Sequence, residues 1–140
     1  GQARIALQQF GSEAQSFPKA GIPRVGYALS SAASGDLKQG VVAMRRAFKI
    51  DPEALQHYQL DQGLHVLLND LIARYQYGLN RRGRHKDEAF MIAALSYLNG
   101  DYTTAHDALE RAKRDGDRSR SMRNLKAFLD EKKISSTTNY

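Results

Sequence analysis

His57, Asp61 and His65 stand at intervals of four residues. On one continuous helix that spacing would put two imidazoles and a carboxylate on a single face, a set able to hold a metal ion. The segment Asp61-Gln62-Gly63 instead has the character of a helix start, with Asp61 as the cap, which would break that face; surface and capping roles are the plainer account. A second group is basic. Arg81, Arg82, Arg84, His85 and Lys86 form one run, and Arg111, Lys113, Arg114, Arg118, Arg120 and Arg123 form a looser cluster, and either could lie along a phosphate backbone. Both are interleaved with acids, Asp87, Glu88, Asp115 and Asp117, and no stacking aromatics accompany them. A solvated loop and helix C-termini carrying bases explain the same pattern. Ser119 and Ser121 among arginines have the short pattern of phosphorylation sites. The sequence contains no phosphate-binding loop, Gly-x-Ser-x-Gly elbow, His-Glu-x-x-His motif or dinucleotide fingerprint. No acid, base or nucleophile pair stands out, so no catalytic residue, metal or cofactor is assigned, and the chain reads as a non-enzyme.

These side chains must be positioned by a chain of 140 residues, long enough for one domain with a single core. Its hydrophobic fraction of 41% and charged fraction of 26% are ordinary for a globular protein. No apolar run approaches the ~18 residues that a membrane span needs. With no cysteine, disulfides and thiolate sites are excluded, though the compartment is not thereby fixed. The net charge of +6 is gathered towards the two ends, the middle being slightly acidic. The chain opens at Gly1 without a basic-then-apolar leader, which suggests a piece of something longer.

The organising stretch is Gly35 to Pro52. Gly35 suits the left-handed backbone that ends a helix, Asp36 can cap the next one, and Gln39 stands where a capping box needs it. Leu37, Val41, Met44 and Phe48 then recur as one apolar stripe, and Asp51-Pro52 stops the helix. Upstream, Pro23 suits a first helical turn, and Val25, Ala28, Leu29, Ala32 and Ala33 recur with helical spacing among small residues that permit close packing. The Gly-Asp opening returns at Gly100-Asp101. A chain that repeats its own turn is a candidate repeat protein.

This pattern resembles the tetratricopeptide repeat family, whose units are antiparallel helix pairs of roughly 34 residues. Leu37, Gly40, Ala47 and Asp51-Pro52 match the second helix and closing pair of such a unit. Gly40 departs from the family's usual alanine, at a helix cost of roughly 0.5 to 1 kcal/mol, and the large residue that usually opens the first helix is missing. The resemblance implies an all-α fold of about six helices, antiparallel pairs stacked as a short right-handed α-solenoid, and a scaffold that binds a protein or peptide partner. It also implies a concave groove lined by first helices. Here its candidates are Val25, Leu29, Ala32 and Ala33 from the first pair and Phe90, Ala94 and Tyr97 from the last, with Tyr97 offering a hydrogen bond. Those positions lack the lysine, asparagine and arginine with which chaperone-binding members grip a C-terminal carboxylate. The same side chains may equally be core.

The divisions follow. Residues 1–20 are an irregular arm or the remnant of an upstream helix (Ala3, Ile5, Ala6, Leu7, Phe10); 21–131 form the helical domain. Within it, 21–53 is a repeat and 54–85 a degenerate repeat. That second unit keeps an irregular segment from Glu53 to Leu60 and one long helix with Leu64, Leu67, Leu68, Leu71, Ile72, Tyr75 and Leu79 inward, ending between Tyr77 and Gly83. Residues 86–117 are the third unit, its first helix apolar on nearly every side and its second carrying Tyr102, Ala105, Ala108, Leu109 and Ala112 inward. Residues 118–131 form a capping helix on Met122, Leu125, Phe128 and Leu129, and 132–140 a disordered tail. The expected function is a non-catalytic interaction module binding a peptide or helix in an apolar groove. A basic module that binds nucleic acid through Arg81, Arg82, Arg84 and Lys86 is the alternative. A homo-oligomer stays open.

Overall fold

The turns come first, because they set which helices lie side by side. The structure, a computed structural model, describes residues 21–137; the arm expected over 1–20 lies outside the described residues. Helix α1 (Gly21–Ala33) leads into α2 (Leu37–Ile50) through Gly35, whose φ of +104° is open to glycine at no steric cost. The amide of Gly35 donates to the Ala32 carbonyl (3.0 Å) and that of Asp36 to Ser31 (3.0 Å), the paired bonds of a Schellman ending. Asp36 then caps α2 by accepting from the Gln39 amide (3.1 Å). The second Gly-Asp turn repeats this bond for bond between α5 (Lys86–Leu98) and α6 (Tyr102–Arg114). Gly100 has φ +80°, its amide donates to Tyr97 and that of Asp101 to Ser96, and Asp101 accepts from the Thr104 amide (3.2 Å).

A third copy closes α6. The amide of Gly116 (φ +100°) donates to the Lys113 carbonyl and that of Asp117 to Ala112, before α7 (Arg120–Thr137) begins. Asp115-Gly116-Asp117 stands in the sequence where the first unit has Asp51-Pro52, without the proline. In the structure Gly116-Asp117 ends α6 in the same way as the two earlier turns, but the cap of α7 is Ser119, whose hydroxyl accepts from the Met122 amide (3.2 Å). Helix α7 continues to Thr137, so the tail expected from residue 132 is helical through Thr137. The physical reason is plain: residues 131–137 contain neither glycine nor proline to stop it.

Between the hairpins the chain makes a one-turn helix, α3 (Pro52–Leu55), and a loop in which Leu55 and Leu60 are buried. Expecting only irregular structure here missed a core contribution, since a single turn is too short to show a period. Asp61 caps the 3-10 turn Gln62–Leu64 by accepting from the Gly63 amide (3.1 Å), and α4 (His65–Leu79) follows directly. Leu64, Leu68, Leu71 and Tyr75 are buried, and Leu67, Ile72 and Leu79 pack partly against the same core.

All described elements are helices or turns, with seven α-helices and no strand among the described residues. Helix α5 sits at the centre, buried from Ala89 to Leu98, and packs against α2, α4, α6 and α7. The last helix does more than cover an end: α7 packs against α2 more extensively than against α6, its own chain neighbour. Phe48 of α2 meets Phe90 (6.2 Å between centroids), Tyr97 (6.1 Å) and Phe128 (6.2 Å), so three helices converge on one aromatic cluster. Asn124 adds a hydrogen bond to the Phe48 carbonyl (2.7 Å).

Candidate functional site

The groove expected from the sequence is not a surface. Val25, Leu29, Ala32, Phe90, Ala94 and Tyr97 are all buried, none more than 1% exposed, and Ala33 is half-buried. The physical reason is visible at Tyr97, which stacks on Phe128 (5.9 Å) and lies beside Phe48 and Tyr102. Its hydroxyl donates to the Leu55 carbonyl (2.8 Å) and accepts from the His57 amide (3.0 Å), so the hydrogen bond reserved for a partner is already made internally. Burial, partly offset by that amide bond, pushes its phenol up to about 12. The six residues belong to the hydrophobic core.

Asp117, at the third turn, is only 2% exposed. A carboxylate so placed needs partners, and it has three. It accepts from the Ser119 amide (3.0 Å) and hydroxyl (2.7 Å) and from Arg45 Nη2 (2.9 Å). Burial alone would raise its pKa, but the Ser119 bonds and the arginine outweigh it and hold the carboxyl below its ordinary value. Arg45 reaches further: Nη2 to Asp87 (2.8 Å), Nη1 to the hydroxyls of Ser119 (2.8 Å) and Ser121 (3.2 Å), with its guanidinium 4.3 Å from the Phe90 centroid. This clamp joins α2, α5 and the start of α7. It also engages Ser119 and Ser121, of which Ser121 is buried and Ser119 half-buried.

Beside the clamp lies a cleft of about 520 Å³. One wall is the outer stripe of α2, Lys38, Val41, Val42 and Arg45; the other is the end of α4, Arg74, Tyr77 and Gly78, continued by Arg81. Both walls advance in steps of three or four residues over seven, two helical turns or ~10 Å. The walls stand at a fixed distance because Tyr75 crosses beneath them, its hydroxyl donating to the Leu37 carbonyl (2.7 Å). Gly40 makes that crossing fit. A Cβ there would be 2.7 Å from the Tyr75 hydroxyl and 3.0 Å from the Ala32 Cβ, so the residue that departs from the repeat pattern is the one that admits the tyrosine. Burial raises the Tyr75 phenol far above its ordinary range, with Asp36 and Glu88 adding to the effect, so it stays a neutral donor.

The cleft is both apolar and cationic. Val42 is 48% and Tyr77 72% exposed, two of the four large hydrophobics that are exposed among the described residues. Arg45 is matched by Asp87 and Asp117, and Arg74 by Asp70 (2.9 Å). Lys38 has no acidic partner among the described residues, and neither does Arg81, which lies 5.7 Å from the Tyr77 ring. Glu88 lies against Gly78, a Cβ on which would be 3.4 Å from its Cγ, and its carboxylate is 3.8 Å from His85 Nδ1.

The remaining candidates separate. Arg81, Arg82, Arg84 and Lys86 are brought together on the exposed loop between α4 and α5, folded over by His85, whose Nε2 approaches the carbonyls of Arg81 and Arg82 (3.1 Å each). The other basic cluster is not assembled with them: Arg111 pairs with Asp115 (2.9 Å), and Arg118 bonds backbone carbonyls. The Arg111 bond and, above all, the His85 amide keep the Asp115 carboxyl below its usual range. His57, Asp61 and His65 do not converge. His57 pairs with Glu131 (3.4 Å), Asp61 caps its turn, and His65 bonds Asn99. Among the described residues no three such side chains could hold a metal ion, and no helix is long and apolar enough to cross a membrane. The signal that could have found the cleft was the pair Lys38/Val42 together with Tyr77 near the end of α4 and Arg81 just beyond it, but only the fold makes them neighbours. Compared with family models, curated proteins and solved structures, the chain matches none.

Proposed function

We propose that this chain is a non-catalytic protein-interaction module, a short tetratricopeptide-like array of helix hairpins that closes on itself through α7, and that it takes a peptide or helix of a partner protein in the cleft between α2 and α4. One observation carries the reading: Val42 and Tyr77 leave apolar surface exposed at the same cleft, while the other large apolar side chains among the described residues are mostly packed away. A non-catalytic role is supported by how the ionisable groups are used. Asp36, Asp61 and Asp101 cap helices or turns, and Asp117 is enclosed by a clamp.

A photo-crosslinking residue at position 42, in the full chain produced in its native host, tests this. Adducts with a defined peptide of one protein are expected at position 42 and absent at position 66, where Val66 is even more exposed but does not line the cleft. Equal labelling at both positions would remove the site. The exposed loop cations Arg81, Arg82, Arg84 and Lys86 favour the second reading, nucleic-acid binding, while Asp87, Glu88 and Asp115 beside them oppose it. Nucleic-acid adducts at position 42, or an affinity for oligonucleotides that falls steeply with salt, would favour the second reading.

A further inference from the structure

The shape of the cleft says how a ligand would lie in it. There is no strand among the described residues, so no sheet edge can pair with an extended peptide backbone, and an apolar trough between two helices accepts a third helix instead. Its walls, two turns long, match the i, i+3/i+4, i+7 face of an amphipathic helix.

Charge then narrows the class. Of the six ionised side chains around the cleft, Arg45, Arg74 and Asp87 are matched within the protein, and the Glu88 carboxylate is 3.8 Å from His85 Nδ1. What faces an incoming ligand is Lys38 with Val42 on one wall and Arg81 with Tyr77 on the other. Next to Arg81 come Arg82, Arg84 and Lys86, also without acidic partners among the described residues. A cation and an exposed apolar side chain on each wall are complementary to a helix with large apolar residues on its inner face and carboxylates on both shoulders. A nucleic-acid backbone fits less well, because the exposed apolar side chains Val42 and Tyr77 offer nothing to phosphates.

Resting on the interaction reading above, we propose that the cleft binds an acidic amphipathic helix, with aspartates or glutamates on each shoulder meeting Lys38 and Arg81 and two or three bulky apolar side chains covering Val42 and Tyr77.

The test selects binders of the full chain from a displayed library of random peptides about fourteen residues long, then measures labelled representatives by fluorescence polarisation. Acidic peptides with apolar residues at helical spacing should be enriched. Lys38→Glu with Arg81→Glu should weaken them by roughly tenfold or more and shift the preference to basic peptides, and Val42→Asp or Tyr77→Asp should abolish binding. All four positions are at the surface, so unchanged circular dichroism and melting serve as the folding control. If neutral or basic peptides emerge, and bind in a way that Val42→Asp destroys but charge reversal leaves alone, the acidic-helix proposal falls while the interaction site stands. If no selected peptide responds to Val42→Asp or Tyr77→Asp, or if only a labelled oligonucleotide binds and the charge reversals release it, both fall.

Discussion

Gly40 sets two effects against each other at a single position. By helix propensity alone, Gly40→Ala should stabilise α2 by roughly 0.5 to 1 kcal/mol. The Cβ would however sit 2.7 Å from the Tyr75 hydroxyl and 3.0 Å from Ala32, and overpacking a filled site costs about 1 to 3 kcal/mol. The clash should win: Gly40→Ala lowers the melting temperature, and adding Tyr75→Phe recovers part of the loss, an interaction that a double-mutant cycle in denaturant measures. Asp117 gives the second prediction at this scale. Its folded pKa is lowered, so its contribution to stability is complete above the ordinary carboxylate value and fades as pH falls through the lowered one. Asp117→Asn should cost about 1.5 to 3 kcal/mol at neutral pH, and the difference from the parent should shrink in thermal melts as pH falls below the ordinary carboxylate value. Neither position could be understood from the sequence. Gly40 stands in the sequence as a departure from a repeat, and nothing there singles out Arg45, because Tyr75 and the Arg45 partners are supplied by residues 30 or more positions away in the chain.

Within single elements the sequence was far easier to read. Gly35-Asp36 and Gly100-Asp101 form the same capped turn because everything such a turn needs, a left-handed glycine and a carboxylate three residues before an orphan amide, is local. The stripe on α4 and the all-round apolar α5 were legible for the same reason. Where the signal was shorter than a period, as in α3, or depended on what failed to stop a helix, as beyond Lys132, the expectation and the structure part company. Asp36→Ala and Asp101→Ala should each cost about 1 kcal/mol. The caps belong to separate hairpins without shared partners, so the double variant should lose close to the sum, which urea titration can check; a strongly non-additive result would mean that the two turns are coupled through α5.

At the scale of the whole molecule, the hairpins were foreseeable and their arrangement was not. Which face of a helix is buried can be read from periodicity, but which helix buries it depends on contacts far apart in sequence. That is why the residues assigned to a groove are core. Phe90→Ala should therefore cost about 3 to 5 kcal/mol. A melting temperature close to that of the parent would restore the groove. Likewise, removing α7 strips Phe128 and Asn124 from Phe48 and opens the Arg45 clamp, so a chain ending at Arg118 should lose its cooperative unfolding transition.

The meeting of α2 with α7 also bears on the order of assembly. The two glycine-turned hairpins need only nearby chain and can form early, whereas Phe48 with Asn124 and Arg45 with Ser121 close loops of more than seventy residues. Docking of the last helix is then a late event, beyond the main kinetic barrier. Substitutions at Asn124 would accelerate unfolding and leave the refolding rate nearly untouched, and those at the early turns would slow refolding.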